Sequence, residues 1–169
     1  MIASFDIGEK NFAYAIGTID SVAKLVHVNV MQRKRQTIVE SCDAISKVLR
    51  DEDFSNCDLV VIEQQMRANV RAQRLSQHVW TWFKLMIPRL NPTFVKASLK
   101  TLHFLGSNSL TAKSRKRWSV DKMTELLTER CDETNLEYYN SLSKKDDVAD
   151  AYLQLIAYQH SQRDEWFPM

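Results

Sequence analysis

The run IASFDIG, residues 2–8, constrains this chain most. Four of its first five residues are apolar or small, as a strand buried within a sheet requires, yet the run ends in Asp6 and Gly8. A carboxylate at the tip of a core strand is costly unless it is paired or binds a cation. A second apolar run, residues 12–19, begins after the polar Gly8, Glu9, Lys10 and Asn11. The two runs therefore read as a β-hairpin whose turn lies beside Asp6. On this stretch alone, Asp6 either caps the turn or ligates a metal.

Further along, residues 24–30 alternate apolar and polar side chains, which predicts a half-buried third strand and a three-stranded antiparallel meander. From Thr37 the period changes, because Ile38, Cys42, Ile45, Val48 and Leu49 recur at helical spacing. The short run LVVI, residues 59–62, is apolar throughout and fits a strand buried on both faces, parallel to the first after a crossover. Glu63 then repeats the opening pattern, with a carboxylate again at the C-terminal tip of a core strand. A long helix over residues 69–87, a strand over 93–97, a basic loop over 98–113 and a helix over 114–131 follow. Residues 132–143 read as a polar, acidic loop, and residues 145–161 as a last helix with Asp146, Asp147 and Asp150 in its first turn.

The expected architecture is α/β: a mixed five-stranded sheet, meander plus parallel strands, flanked by helices. A length of 169 residues suits a single domain, residues 1–169, built on one hydrophobic core. Hydrophobic residues make up 44% and charged residues 26% of the chain, and no apolar run approaches the ~20 residues that span a bilayer, which excludes a membrane protein. The N-terminus lacks a basic lead and its apolar run is broken by Asp6, so an intracellular, soluble protein is expected. Cys42, Cys57 and Cys131 are odd in number and stand near no histidine at ligand spacing, so they read as reduced core thiols.

Residues three apart on a helix are neighbours, so Asp147 and Asp150 project side by side, whereas Asp146 needs no role beyond capping. In open α/β sheets ligands gather outside the carboxyl ends of the strands, where Asp6 and Glu63 both stand. Four acids brought together repel one another unless cations are bound, and an oxygen-only set points to Mg²⁺ or Mn²⁺. Two such ions about 4 Å apart activate a water and stabilise the leaving oxygen in phosphodiester hydrolysis. Net charge is only +2, but residues 96–118 carry Lys96, Lys100, Lys113, Arg115, Lys116 and Arg117 with no acid. This segment is either a solvated surface or a phosphate-binding one. Together with Gln64, Arg67, Arg71 and Arg74 it supplies candidate DNA contacts beside a metal-dependent nuclease centre, with Lys113 or Lys116 placed to stabilise charge at the phosphate.

In this order and spacing, FDIGEKNFAYAI, VVIEQQ, AKSRKRWSV and KKDDVADAYLQ resemble the Holliday junction resolvases of poxviruses and related large DNA viruses, kin of bacterial RuvC and of mitochondrial resolvases. The resemblance runs from residue 2 to about residue 160. It implies an RNase H-like fold, a homodimer, and paired nicks in a four-way DNA junction, at cytoplasmic sites of viral replication. It makes Asp6, Glu63, Asp147 and Asp150 the catalytic metal ligands, for two Mg²⁺ or Mn²⁺ ions per active site. The family's essential lysine is best matched by Lys116, with Lys113 close behind. Some bacterial members place an aromatic three residues after the second acid to open the junction; here that position is Met66. Phe104 and Trp118 remain as stacking candidates or as core.

Two other classes compete. A DIG strand with a hairpin also begins actin-like and sugar-kinase ATPases, but these need glycine-rich phosphate loops, and this chain has only Gly8, Gly17 and Gly106. A non-catalytic junction-binding module would not need all four acids. The resolvase reading calls for neither a membrane nor a small-molecule cofactor.

Overall fold

The computed structural model describes residues 1–31 and 36–166, with side chains up to residue 162. Strands β1 (Ile2–Ile7), β2 (Asn11–Gly17) and β3 (Val22–Asn29) form the expected meander. Helix α1 (Ile38–Arg50) then crosses to β4 (Leu59–Gln64), and α2 (Val70–Met86) to β5 (Pro92–Lys96). The sheet order is β3-β2-β1-β4-β5, with β1, β4 and β5 mutually parallel and β2 and β3 antiparallel to their neighbours. The first turn closes with the Gly8 N–H donating to the Asn11 carbonyl at 2.9 Å. At the other end of β2, Gly17 sits at a register shift where a Cβ would lie 2.4 Å from the Ser21 carbonyl oxygen, so no other residue fits without moving the backbone.

The period-2 pattern assigns each strand residue to a face. Phe5, Ile7, Phe12, Tyr14, Val60 and Ile62 pack beneath α1 and α2, together with Phe54 and Phe83. The opposite face carries Ala13, Ala15, Val61 and Val95 beneath Met123, Leu127, Tyr139, Val148 and Tyr152. The core is thus two clusters separated by the sheet, where the sequence suggested one, because a strand that is apolar on every residue must be covered on both sides.

Two further differences lie in the expected loops. Residues 98–113 contain a helix, α3 (Leu99–Leu105), closed by Gly106 at φ 66°, and residues 132–143 contain α5 (Glu133–Ser141), capped by the Asp132 side chain. Both are short, so their apolar spacing repeats too few times to stand out. Between them runs α4 (Ala112–Glu129), and α6 (Lys145–Trp166) completes the chain. Of the three thiols only Cys57 is fully buried; Cys131 is exposed and left-handed at φ 52° after α4, unlike the core residue expected.

Helix α6 is the element that meets the meander from the far side. Val148, Ala149, Ala151, Tyr152, Leu153 and Leu155 are all buried, and the alanines let the helix approach β1 and β2 closely. Gln154, itself buried, donates from Nε2 to Ser4 Oγ at 3.0 Å and to the Phe5 carbonyl at 3.4 Å. No helix among the described residues is long and apolar enough to cross a membrane.

Candidate active site

The site is assembled by register. Phe5 pairs with Ile62, so Asp6 and Glu63, each the next residue, emerge side by side from the same end of adjacent parallel strands. Asp6 also pairs with Ala13, and Ala13 with His27, which sets His27, Ala13 and Asp6 in one row on the α6 face. The first two turns of α6 bring Asp147 and Asp150 down onto that row. The structure therefore gathers the four acids that the sequence singled out.

At their centre stands a lysine that sequence reasoning assigned to the DNA surface. Lys100, on α3, is only 2% exposed, and its Nζ lies 2.7 Å from Glu63 Oε2 and 3.2 Å from Asp150 Oδ2. Asp150 Oδ1 also accepts a hydrogen bond from Ser119 Oγ of α4, at 2.6 Å. Burial works against the charge of Lys100, but the Glu63, Asp150 and Asp6 carboxylates outweigh it and hold the ammonium above the ordinary lysine range. Asp6 goes the opposite way. Burial first, then repulsion from Glu63 and Asp150, pushes its carboxyl well above the usual range, and Lys100 only partly offsets this. Burial, with Asp146 next to it, also raises Asp147. One ammonium among four carboxylates leaves the centre short of positive charge.

Lys116, the expected match for the essential lysine, is elsewhere. Its Nζ pairs with Asp146 Oδ2 at 2.6 Å and its side chain is 58% exposed, while Lys113 is exposed near the start of α4. The physical reason is the helix α3 that was read as loop: it carries Lys100 inward, while α4 turns its basic first turns outward. The remaining basic candidates divide. Arg67, Arg115 and Gln64 line a cleft beside Glu63, together with Lys96, Ser98 and Asn108. Arg117 is exposed and faces Asp121, and Arg74 lines a separate surface with Glu9. Arg71 departs from the expected DNA contact: its Nη2 donates to the Gln36 and Thr37 carbonyls and to Ser41 Oγ, which ties α2 to the start of α1. Met66 is 78% exposed, while Phe104 and Trp118 pack against each other at 6.0 Å and Phe104 abuts the core.

Every acid in the set offers oxygen, which suits a hard cation, and Asp147 Oδ2 is buried with no hydrogen-bond partner. Among the described residues no three His, Cys, Asp or Glu side chains form a ready-made metal cage.

The sequence of residues 1–161 matches the family model described as Poxvirus A22 protein. The chain belongs to the Poxvirus A22 protein family. The uncharacterized protein 97L of Invertebrate iridescent virus 3 is 30% identical over 94% of this chain and 99% of its own length. The Holliday junction resolvase of fowlpox virus (strain NVSL) is 26% identical, covering 95% of this chain and 93% of that protein. Among solved structures, the fowlpox virus resolvase in complex with substrate Holliday junction DNA superposes with a TM-score of 0.70 at 20% identity, over 95% of this chain and 97% of that one. That likeness establishes the RNase H-like fold of this A22 family member, with an open, mixed five-stranded sheet. The resemblance read from four sequence motifs and the family match coincide, and the ATPase alternative falls away.

Proposed function

We propose that this chain is a divalent-metal-dependent endonuclease that resolves four-way DNA junctions by paired nicking. The observation that carries this reading is the convergence of Asp6, Glu63, Asp147 and Asp150 around the buried ammonium of Lys100 at the open end of the sheet. The reading is supported by membership of a family with a named resolvase among its relatives. Asp6, Glu63, Asp147 and Asp150 would hold Mg²⁺ or Mn²⁺, two ions per site. When bound, such ions supply an activated water and neutralise the leaving oxygen.

The protein's own part is positioning and charge. Lys100 holds Glu63 and Asp150 in register and keeps a fixed positive charge where a scissile phosphate would enter, acting as the catalytic lysine in place of Lys116. Ser119 fixes the rotamer of Asp150 through its 2.6 Å hydrogen bond. Arg67, Arg115 and Gln64, lining the adjacent cleft, contact the DNA backbone next to the cut. Lys113, Lys116 and Arg117 on the outer face of α4 extend that contact, and Arg74 lies at its margin. A homodimer supplies one site per strand, and its place of action is the cytoplasmic site of viral DNA replication.

The test is cleavage of a synthetic four-way junction, beside linear duplex and RNA–DNA hybrid, with and without Mg²⁺. Mg²⁺-dependent, symmetric nicks confined to the junction are expected. Junction binding with no cleavage under Mg²⁺ or Mn²⁺ would instead identify a binding module. A mass in solution that stays monomeric at micromolar concentration would remove paired nicking.

A further inference from the structure

His27 faces this centre and is used neither by the motifs nor by the proposed chemistry. It sits on β3, two strands from Asp6 in the same cross-strand row, and Ala13 between them carries only a methyl group. His27 Nε2 lies 3.5 Å from Asp147 Oδ2, and the two side chains are 12% and 18% exposed.

Both atoms are buried and neither has a hydrogen-bond partner. A separation of 3.5 Å is too long for an imidazole–carboxylate hydrogen bond, which runs at about 2.7–3.2 Å. It is the separation expected of two donors on one cation, since ligands held at roughly 2.1 Å at about a right angle or wider stand ~3.0–3.6 Å apart. Facing each other within ion-pair reach but with no hydrogen bond to each other or to any other group, the two donors are placed to share an ion. Asp6, Glu63 and Asp150 offer only oxygen, so the two halves of the centre differ in kind: Lys100 lies among the acids on one side, and an imidazole stands beside Asp147 on the other.

We propose that His27 is a nitrogen ligand for the cation held by Asp147, so that this position is a mixed nitrogen–oxygen site favouring Mn²⁺ over Mg²⁺. Imidazole suits transition metals, whereas Mg²⁺ prefers an all-oxygen shell, and Mn²⁺ accepts both donor types. Water and substrate phosphate oxygens complete the coordination, which accounts for the absence of a third protein donor among the described residues. The inference rests on the proposed metal-dependent function and adds to it the identity of a ligand and a metal preference.

The deciding experiment is pulsed electron paramagnetic resonance on the full chain loaded with Mn²⁺, read for the ¹⁴N coupling of a directly bound imidazole. The coupling is expected in the unaltered protein and absent from His27→Asn, which still binds Mn²⁺ through the acids. Bound Mn²⁺ without nitrogen coupling in the unaltered protein overturns the proposal and leaves the carboxylate site intact. No bound Mn²⁺ at all overturns the metal-dependent reading itself, and this inference with it. As a second readout, the ratio of Mn²⁺- to Mg²⁺-supported junction cleavage should fall about tenfold or more in His27→Asn, since even outer partners of metal ligands alter affinity by 10–100-fold. It should fall again in His27→Asp, which restores an all-oxygen site and keeps cleavage in Mg²⁺. An equal loss with both metals in both variants would mark His27 as a packing residue and overturn the assignment.

Discussion

Two lysine–carboxylate pairs in this molecule are almost identical in length and differ in the burial of the lysine. Lys100 meets Glu63 at 2.7 Å and Lys116 meets Asp146 at 2.6 Å, but the Lys100 side chain is 2% exposed and that of Lys116 is 58% exposed. The charge interaction scales inversely with the effective dielectric, so the same distance carries several times more energy in the interior than at the surface. Exposed pairs typically contribute about 0–1 kcal/mol. The buried pair is different in kind, because removing Lys100 leaves mostly buried carboxylates without their counter-charge. In the proposed chemistry it is position in the fold, and not contact distance, that assigns the two lysines different roles.

The largest effect should come from breaking the buried side of the comparison. Lys100→Met should lower junction cleavage by roughly two to three orders of magnitude, as loss of a preorganised charge does elsewhere, with junction binding retained in a mobility-shift assay. Asp6→Asn, Glu63→Gln, Asp147→Asn and Asp150→Asn should each abolish cleavage while leaving binding, which rests mainly on backbone charge. Near-normal cleavage by any one of them removes that residue from the centre.

Next comes the opposite pH dependence of the two regions, measured as melting temperature of the metal-free protein. The carboxyl of Asp6 is raised in the folded state. Its contribution is therefore fully present below the ordinary aspartate value of about 4 and is lost as pH rises through the folded value. Asp6→Asn should accordingly become more stabilising, relative to the unaltered protein, between pH 4 and pH 7. Burial pushes Asp146 up, but the hydrogen bond and charge of Lys116 outweigh it and hold the carboxyl low. Its contribution is present above about pH 4 and lost as pH falls, so Lys116→Ala should flatten only the acid limb. Equal slopes in the two variants would mean that burial does not distinguish the pairs.

The smaller effects belong to the surface. Lys116→Ala should cost about 1 kcal/mol of stability or less and slow cleavage only a few-fold; if it matches Lys100→Met, the catalytic lysine has been misassigned. Removing any one phosphate contact among Lys113, Lys116 and Arg117 should reduce the log–log salt slope of junction binding by about 0.9. Arg71→Ala should leave that slope unchanged and instead destabilise the fold, because its guanidinium is engaged with α1.

The acids were legible in the sequence because strand ends announce themselves. Asp6 follows a run of apolar or small residues and Glu63 an unbroken apolar one, and the three-residue spacing of Asp147 and Asp150 puts them on one helix face whatever the fold. Lys100 was hidden by its setting. It lies in a seven-residue helix whose inner side is marked by little besides Leu99 and Phe104, and the denser basic run at residues 113–117 offered a louder signal. A buried lysine is unusual enough that no charge count places one inside. Ser119 and His27 carried no signal either, since a serine in a helix and a histidine in an alternating strand are ordinary residues until register sets them beside an acid. Helix α5 was lost because Leu136 and Tyr139 are too few to establish a period.

The hydrogen bonds from Gln154 to Ser4 and Phe5 reach further than their size suggests. Gln154 stands four residues beyond Asp150 on α6, and Ser4 two before Asp6 on β1, so one buried amide pins the helix to the strand about a turn away from the acids. The gap between the carboxylate pair of α6 and the strand-end acids is therefore a machined tolerance, set within the apolar interior by a residue outside the acid cluster. Loosening that fastener would let the helix slide along the sheet with every acid still present. Such an enzyme would keep all its motifs and lose its aim.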